Sequence, residues 1–89
     1  MAGVSIAHTG LARAIARFPE SAATLRRLAL TDPGFLEICE EYGLARESLS
    51  GFEARPDAAE RPEIGDYRAV IAELESEIDL CLKRAGTGG

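Results

Sequence analysis

Two stretches of the chain repeat apolar residues at alternating spacings of three and four, the pattern of one narrow stripe along a helix. The first stripe comprises Phe35, Ile38, Tyr42, Ala45, Leu49 and Phe52. The second comprises Ile64, Tyr67, Ile71, Leu74, Ile78 and Cys81. Asp32-Pro33 precedes the first and Pro62 opens the second, and both are helix start signals. The pattern therefore predicts helices over residues 33–52 and 62–84.

The two stripes match each other if the chain folds back at residues 54–62, which contain two prolines and no apolar period. In an antiparallel arrangement the facing pairs are Phe35 with Cys81, Ile38 with Ile78, Tyr42 with Leu74, Ala45 with Ile71, Leu49 with Tyr67, and Phe52 with Ile64. All six pairs fit one register, in which Arg46 could reach Glu75 and Glu53 could reach Arg68. We therefore predict an all-α fold built on an antiparallel, coiled-coil-like helical hairpin. Gly43, inside the first of these helices, costs roughly 1 kcal/mol relative to alanine.

The N-terminal part of the chain predicts additional helix. Apolar residues recur on one helical face from Leu11 to Ala29. Pro19 interrupts this face, because proline disfavours helix in the residue before it. We predict helices over residues 9–17 and 19–30, either as separate helices or as one kinked helix.

The length of the chain, 89 residues, is enough for one small domain. Residues 1–8 carry no clear helical pattern, and residues 86–89 are glycine-rich. We predict that both ends are flexible. A single helical domain would then span residues 9–85.

The free energy gained by burying the apolar surface of two stripes is small compared with the entropy cost of ordering both helices. A third contact is therefore expected, from the N-terminal helix of the same chain or from a second chain. The result would be a three-helix or a dimeric bundle. The candidate residues for this interface lie off the two stripes. They are Leu25, Leu28, Leu36, Leu44, Val70, Leu82, Arg26 and Arg27.

The formal charge of −5 is unevenly distributed. Residues 1–31 hold four arginines and one glutamate, a net charge of +3, whereas residues 32–82 hold fourteen acidic and four basic side chains, a net charge of −10. So acidic a surface repels nucleic acid phosphates. The simpler interpretation is a solvated surface. The alternative places the arginine-bearing segment against the acidic remainder, with Glu41 and Glu77 as a candidate docking point.

Few side chains indicate chemistry. Cys39 and Cys81 lack a CxxC spacing and a histidine cluster, which predicts two buried thiols in a reducing cytoplasm. His8 is the only histidine, the carboxylate pairs lack histidine partners, and there is no glycine-rich phosphate loop. No apolar run has the length of a membrane span or the flanks of a signal peptide. We therefore predict a cytoplasmic protein that is not an enzyme, with no catalytic residues, cofactor, metal or small-molecule substrate.

Several short motifs resemble those of a known family. They are Phe18-Pro19-Glu20, then Asp32, Phe35, Tyr42, Leu49 and Glu53, then Leu74, Glu77, Ile78 and Leu82. With them the chain resembles, over residues 18–82, the YdcH-like family of small bacterial proteins. The resemblance implies a bacterial cytosolic helical hairpin whose biochemical role is unknown, and it brings no active site. The last helix departs from the Lys- and Gln-rich pattern of that family, because it reads Ala-Glu-Leu-Glu-Ser-Glu-Ile-Asp.

The patterns together favour a helical protein–protein interaction module that self-associates or docks on another protein through its helix faces. A homo-oligomer is therefore predicted. Two alternatives use the arginine-bearing N-terminal segment. One is a small regulator that contacts nucleic acid, and the other is a peripheral membrane contact by residues 4–18.

Overall fold

The computed structural model describes residues 6–87, and the side chains of residues 9–86. The described part of the chain is all-helical and contains no strand, which confirms the predicted all-α class. Its four α-helices are α1 (Ile6–Arg17), α2 (Ala22–Thr31), α3 (Pro33–Glu53) and α4 (Pro62–Thr87). Two short 3-10 segments, Pro19–Ser21 and Ala58–Glu60, lie between α1 and α2 and between α3 and α4.

The two ends of the helical region differ from the expectation. Residues 6–8, predicted to be flexible, are the first turn of α1, and residues 1–5 lie outside the described residues. Gly86 and Thr87 continue α4, and residues 88–89 lie outside the described residues. The physical reason is that helix formation is cooperative. Extending an existing helix by one residue fixes one residue for one additional hydrogen bond, whereas starting a helix is costly.

Pro19 separates α1 from α2. Phe18 leaves the helical conformation, with φ −126° and ψ 65°, and a 3-10 turn starts at Pro19. The N–H of Phe18 donates to the carbonyl of Ala14 at 2.9 Å, and the N–H of Ser21 donates to the carbonyl of Phe18 at 3.0 Å. The chain therefore forms two helices joined by a tight turn, because the residue before a proline avoids helical backbone angles.

Asp32 organises the junction between α2 and α3. Its N–H donates to the carbonyl of Leu28 at 2.9 Å and so completes α2. Its carboxylate Oδ1 accepts hydrogen bonds from the N–H groups of Gly34, at 3.0 Å, and Phe35, at 3.2 Å. Two otherwise unsatisfied donors at the start of α3 are thereby paired. The predicted helix start at Asp32-Pro33 is confirmed.

Helix α3 is the central element, since α1, α2 and α4 all contact it. Along its contact with α4, residue numbers fall on α3 as they rise on α4. The hydroxyl of Tyr42 on α3 donates a hydrogen bond to Glu75 on α4. Further along α3, the ring of Phe52 stacks on the ring of Tyr67, earlier in α4, with the ring centroids 5.7 Å apart. Tyr67 lies one helical turn beyond Ile64, the residue that the predicted register places opposite Phe52.

The most extensive contacts of α3 are with α1 and α4. Of the helices predicted in the N-terminal part of the chain, both α1 and α2 pack on α3, and α1 contacts it more extensively. Helix α1 approaches α3 so closely that a Cβ built on Gly10 would collide with the backbone carbonyl of Cys39, and would lie 2.5 Å from its carbonyl carbon and 3.3 Å from the Glu40 nitrogen. Ala14, one turn after Gly10, is fully buried. Small residues therefore permit contact between the two backbones.

The core draws on all four helices. Its buried hydrophobic residues are Ala14, Leu25, Phe35, Cys39, Tyr42, Ala45, Ile71, Leu74 and Ile78. Among them Tyr42 carries the one hydroxyl group, and that hydroxyl is hydrogen-bonded. The core therefore contains little polar surface that burial would penalise.

We expect the substitution Gly10→Ala to destabilise the fold by at least about 2 kcal/mol, because overpacking against a backbone carbonyl forces α1 away from α3. The measurement is urea denaturation followed by circular dichroism. Gly51→Ala is the matched control, since a Cβ on Gly51 of α3 meets nothing within 4 Å. That variant should be stabilised by about 0.5–1 kcal/mol. Equal stability of the two variants would contradict the close approach of α1 to α3.

Candidate functional site

The residues of the two predicted stripes lie mostly in the core. Six of them are buried: Phe35, Tyr42, Ala45, Ile71, Leu74 and Ile78. Four are half-buried and packed against the core: Ile38, Leu49, Tyr67 and Cys81. Phe52 and Ile64, at the end of the stripes beside the connecting loop, are half-buried. The stripes therefore serve packing within the chain.

The candidate interface residues divide into three groups by their exposure. Leu25 is fully buried within the chain, so it is not available to a second chain. Its position follows from α2 packing on α3. Three others are half-buried: Leu28, Leu36 and Leu82. Leu44, Val70, Arg26 and Arg27 are exposed.

Leu44 lies on the face of α3 that turns away from the core and is 48% exposed. Side chains three and four positions apart are neighbours on a helix. Its neighbours by this rule include Glu40, Glu41 and Glu47, which are all exposed. We call Glu40, Glu41, Leu44 and Glu47 the acidic patch.

A second exposed leucine has surroundings of the opposite charge. Leu30, near the end of α2, is 87% exposed. Arg26 and Arg27 precede it by four and three positions and are exposed as well. We call Arg26, Arg27 and Leu30 the basic patch. Both arginines are among the residues predicted from the sequence, whereas Leu30 is not; its signal is its place one turn after them, off the face that carries Leu25.

Glu75 joins three helices. The hydroxyl of Tyr42 on α3 donates to Oε2 of Glu75 on α4 at 2.8 Å. Nε of Arg17 on α1 lies 3.4 Å from Oε1 of the same carboxylate. The Glu75 side chain is 21% exposed and that of Arg17 52%, so the hydrogen bond from Tyr42 is the more sheltered contact. An arginine of the N-terminal segment thus reaches the acidic remainder of the chain at Glu75, and not at the expected Glu41 and Glu77.

Arg46 was expected to pair with Glu75. Its guanidinium carbon lies instead 6.0 Å from the centroid of the Tyr42 ring. Burial and the hydrogen bond to Glu75 raise the pKa of Tyr42 to about 12, against the smaller lowering effect of Arg46 and Arg17. The expected pair of Glu53 with Arg68 is present, at 2.9 Å.

A cleft of about 230 Å³ lies between α1 and α3 and is lined by Arg13, Ala16, Arg17, Tyr42 and Arg46. Arg13 and Arg17 are one turn apart on α1, and Tyr42 and Arg46 are one turn apart on α3. Nε of Arg13 is buried and finds no hydrogen-bond partner among the described residues. We call this site the arginine cleft. The periodic pattern of the sequence does not predict that these residues lie together, because it does not show how α1 crosses α3.

Both cysteines are free thiols. Cys39 is fully buried under α1, and burial, with a smaller contribution from neighbouring Cys81, raises the pKa of its thiol to about 11. Burial is also the main cause that raises the pKa of half-buried Cys81. A thiolate is the reactive form of cysteine, so both residues act here as small apolar groups. No metal-binding cluster of His, Cys, Asp or Glu occurs within the described residues.

None of the described helices has a run of apolar residues long enough to cross a membrane. The side chain of His8, the only histidine, lies outside the described residues. No protein-family model, no curated protein and no solved structure matches the chain. The resemblance to the YdcH-like family therefore stays a prediction from the motifs.

We expect Tyr42→Phe to destabilise the fold by about 1.5–3 kcal/mol, the range for a hydrogen bond to a charged group, because it leaves a sheltered carboxylate oxygen without its donor. Arg17→Gln is the comparison, because it removes the more exposed partner of the same carboxylate. Its cost should be about 0–1 kcal/mol. Urea denaturation at neutral pH measures both. A larger loss for Arg17→Gln would contradict this ranking.

Stability should fall in alkaline solution. Because the pKa of Cys39 is raised from 9.0 to about 11 on folding, the folded state holds a proton that the unfolded state releases. The contribution of the protonated Cys39 thiol to the free energy of unfolding is intact below pH 9. It is lost as the pH rises toward 11, by up to about 1.4 kcal/mol per pH unit. The pKa of Tyr42 is raised from 10.0 to about 12, so its ionisation also lowers the stability as the pH rises through this range.

The fall in stability at alkaline pH can be measured by urea denaturation at a series of pH values from 8 to 11. Cys39→Ala should show a shallower decline than the unchanged protein between pH 9 and 11, because the group that titrates is gone. Cys81→Ala should keep most of the decline, since burial is the main cause of the Cys39 shift. Identical slopes for Cys39→Ala and the unchanged protein would rule out Cys39 as the source.

Proposed function

We propose that this chain is a small, non-enzymatic, cytoplasmic helical protein that self-associates. In this proposal α3 and α4 form an antiparallel hairpin that α1 and α2 brace, and the outer surfaces of α2 and α3 contact a second copy. The observation that carries the proposal is that two of the exposed leucines have opposite charges around them, Leu30 in the basic patch and Leu44 in the acidic patch.

Packing within the chain leaves these two leucines unused. The core already draws on all four helices and takes up Leu25, one of the candidate interface residues. A second chain is therefore not needed to complete the fold. An association through the remaining surface would join folded monomers and would be reversible.

Charge complementarity favours a second copy as the partner. Any two copies carry one basic and one acidic patch each, so the patches can meet in both directions across a two-fold axis. Each leucine would then contact a patch whose charge is opposite to the charge of the patch that carries it. Like charges would meet if either patch paired with itself, and this pairing is unfavourable.

The expected affinity is modest. Burying one leucine side chain contributes about 1.5–3 kcal/mol, and an exposed ion pair about 0–1 kcal/mol. Association costs at least about 4 kcal/mol in lost freedom of motion. A symmetric dimer contains two such contacts, each between the basic patch of one copy and the acidic patch of the other. The dimer is therefore weak, and its formation depends on salt because the charged side chains lie at the rim of the contact.

The alternatives through the arginine-bearing segment have less support. Arg13 and Arg17 of that segment line the arginine cleft, and Arg17 is paired with Glu75. Only Arg26 and Arg27 remain for an outer surface, where nucleic acid binding needs a row of phosphate contacts. The acidic outer faces of the chain also oppose nucleic acid and anionic membranes.

Self-association can be tested by sedimentation velocity over a wide range of concentrations, at low and at high salt. We expect a monomer–dimer equilibrium that shifts toward monomer as the salt concentration rises. Two double variants separate the patches: Arg26→Glu with Arg27→Glu, and Glu40→Lys with Glu47→Lys. Each should remain monomeric alone, and a mixture of the two should form heterodimers.

The matched control is Arg55→Glu, a charge reversal in the loop between α3 and α4, which should leave the dimer unchanged. Circular dichroism should show the same helicity for all variants, since every substituted residue is exposed. A protein that stays monomeric at all concentrations in low salt would refute the proposal. So would a mixture of the two double variants that fails to associate.

A further inference from the structure

The arginine cleft gathers more positive charge than its surroundings neutralise. Three guanidinium groups line it, those of Arg13, Arg17 and Arg46. Within the described part of the chain, Glu75 is the acidic side chain that pairs with lining residues, through Arg17 and Tyr42. Three positive charges and one negative charge leave a local excess of two positive charges, within a chain whose overall formal charge is −5.

The hydrogen-bonding capacity of the cleft is also incompletely used. Nε of Arg13 is buried and has no hydrogen-bond partner among the described residues. The side chain of Arg46 contacts the face of the Tyr42 ring, an interaction that leaves its N–H donors free to bind an acceptor. A buried donor without a partner carries a free-energy penalty that a bound acceptor would remove.

We propose that the arginine cleft binds a small phosphate-bearing solute, with Arg13 and Arg46 as its principal ligands and Arg17 as a third. A guanidinium group presents two parallel N–H donors that match two oxygens of one phosphate. A phosphate monoester carries close to two negative charges at neutral pH, which equals the local excess of positive charge. A monocarboxylate would neutralise only half of it.

The geometry sets a limit on the size of the ligand. The cleft has a volume of about 230 Å³ and lies between two helices. It therefore accommodates a phosphate group with a small substituent, whereas a nucleic acid strand would need a longer groove. The acidic patch on the outer face of α3 would also repel a polyanion.

Glu75 has a definite role in this proposal. Its carboxylate holds the hydroxyl of Tyr42 at 2.8 Å and lies 3.4 Å from Nε of Arg17. It fixes the position of two lining residues but adds a negative charge that opposes the ligand. Neutralising that charge while the hydrogen-bonding shape is kept should strengthen phosphate binding. A purely structural role for Glu75 would not have this effect.

The test is isothermal titration calorimetry of the full chain with inorganic phosphate and with glycerol phosphate, at constant ionic strength, with acetate as the monocarboxylate comparison. We expect saturable binding of both phosphates at one site and at least tenfold weaker binding of acetate. Arg13→Gln and Arg46→Gln should each weaken phosphate binding at least tenfold. Glu75→Gln should strengthen it about threefold or more.

Arg55→Gln is the matched control, because it removes the same charge in the loop between α3 and α4, outside the cleft. It should bind phosphate like the unchanged protein. Circular dichroism establishes that each variant is folded, and phosphorus NMR line broadening gives a second readout of binding. Sedimentation velocity of the cleft variants should show unchanged self-association, which separates this site from the proposed dimer contact.

Four results would overturn the proposal. They are the absence of saturable phosphate binding, equal losses for Arg13→Gln and Arg55→Gln, weaker binding by a folded Glu75→Gln variant, and, when anionic vesicles or oligonucleotides are titrated in the same way, binding of either one without binding of free phosphate. The last result would assign the arginines to a macromolecular surface.

Discussion

The close approach of α1 to α3 at Gly10 is the contact on which the other features depend. The backbone of α1 passes so near the Cys39 carbonyl that the position next to it has no room for a side chain. From this point, residue numbers rise together on the two helices. Arg13 and Arg17 on α1 therefore come to lie beside Tyr42 and Arg46 on α3. A wider separation would place these side chains in solvent as independent charges.

The same contact explains why Cys39 is suited to its position. A thiol is small and weakly polar, so it can be buried beneath a helix at little cost. Burial keeps it protonated by raising its pKa to about 11. A thiolate there would place an uncompensated charge in the core at the point where α1 meets α3. Conditions that ionise the thiol therefore act against the contact between the two helices.

Electrostatics divides the surface into regions with different roles. At Glu75 opposite charges meet within the chain, and the pairing is reinforced by the sheltered hydroxyl of Tyr42. On the outer face of α3 and at the end of α2, charges of one sign surround an exposed leucine. Between α1 and α3, positive charge exceeds negative charge. The core provides the stability, and these regions are the surfaces to which the proposed contacts are assigned.

The sequence by itself determined the helical class, the helix starts at Asp32-Pro33 and Pro62, and most of the residues that face the core. Apolar periodicity and capping residues act over a few neighbouring positions, so they can be read along the chain. Only the tertiary structure decided that α1 contacts α3 through Gly10, that Leu25 is internal, that Arg13 and Arg46 line one cleft, and that Glu75 accepts the hydrogen bond of Tyr42. Such contacts depend on the crossing of helices distant in sequence, and a glycine or an exposed arginine has the same local pattern whether or not another helix lies above it.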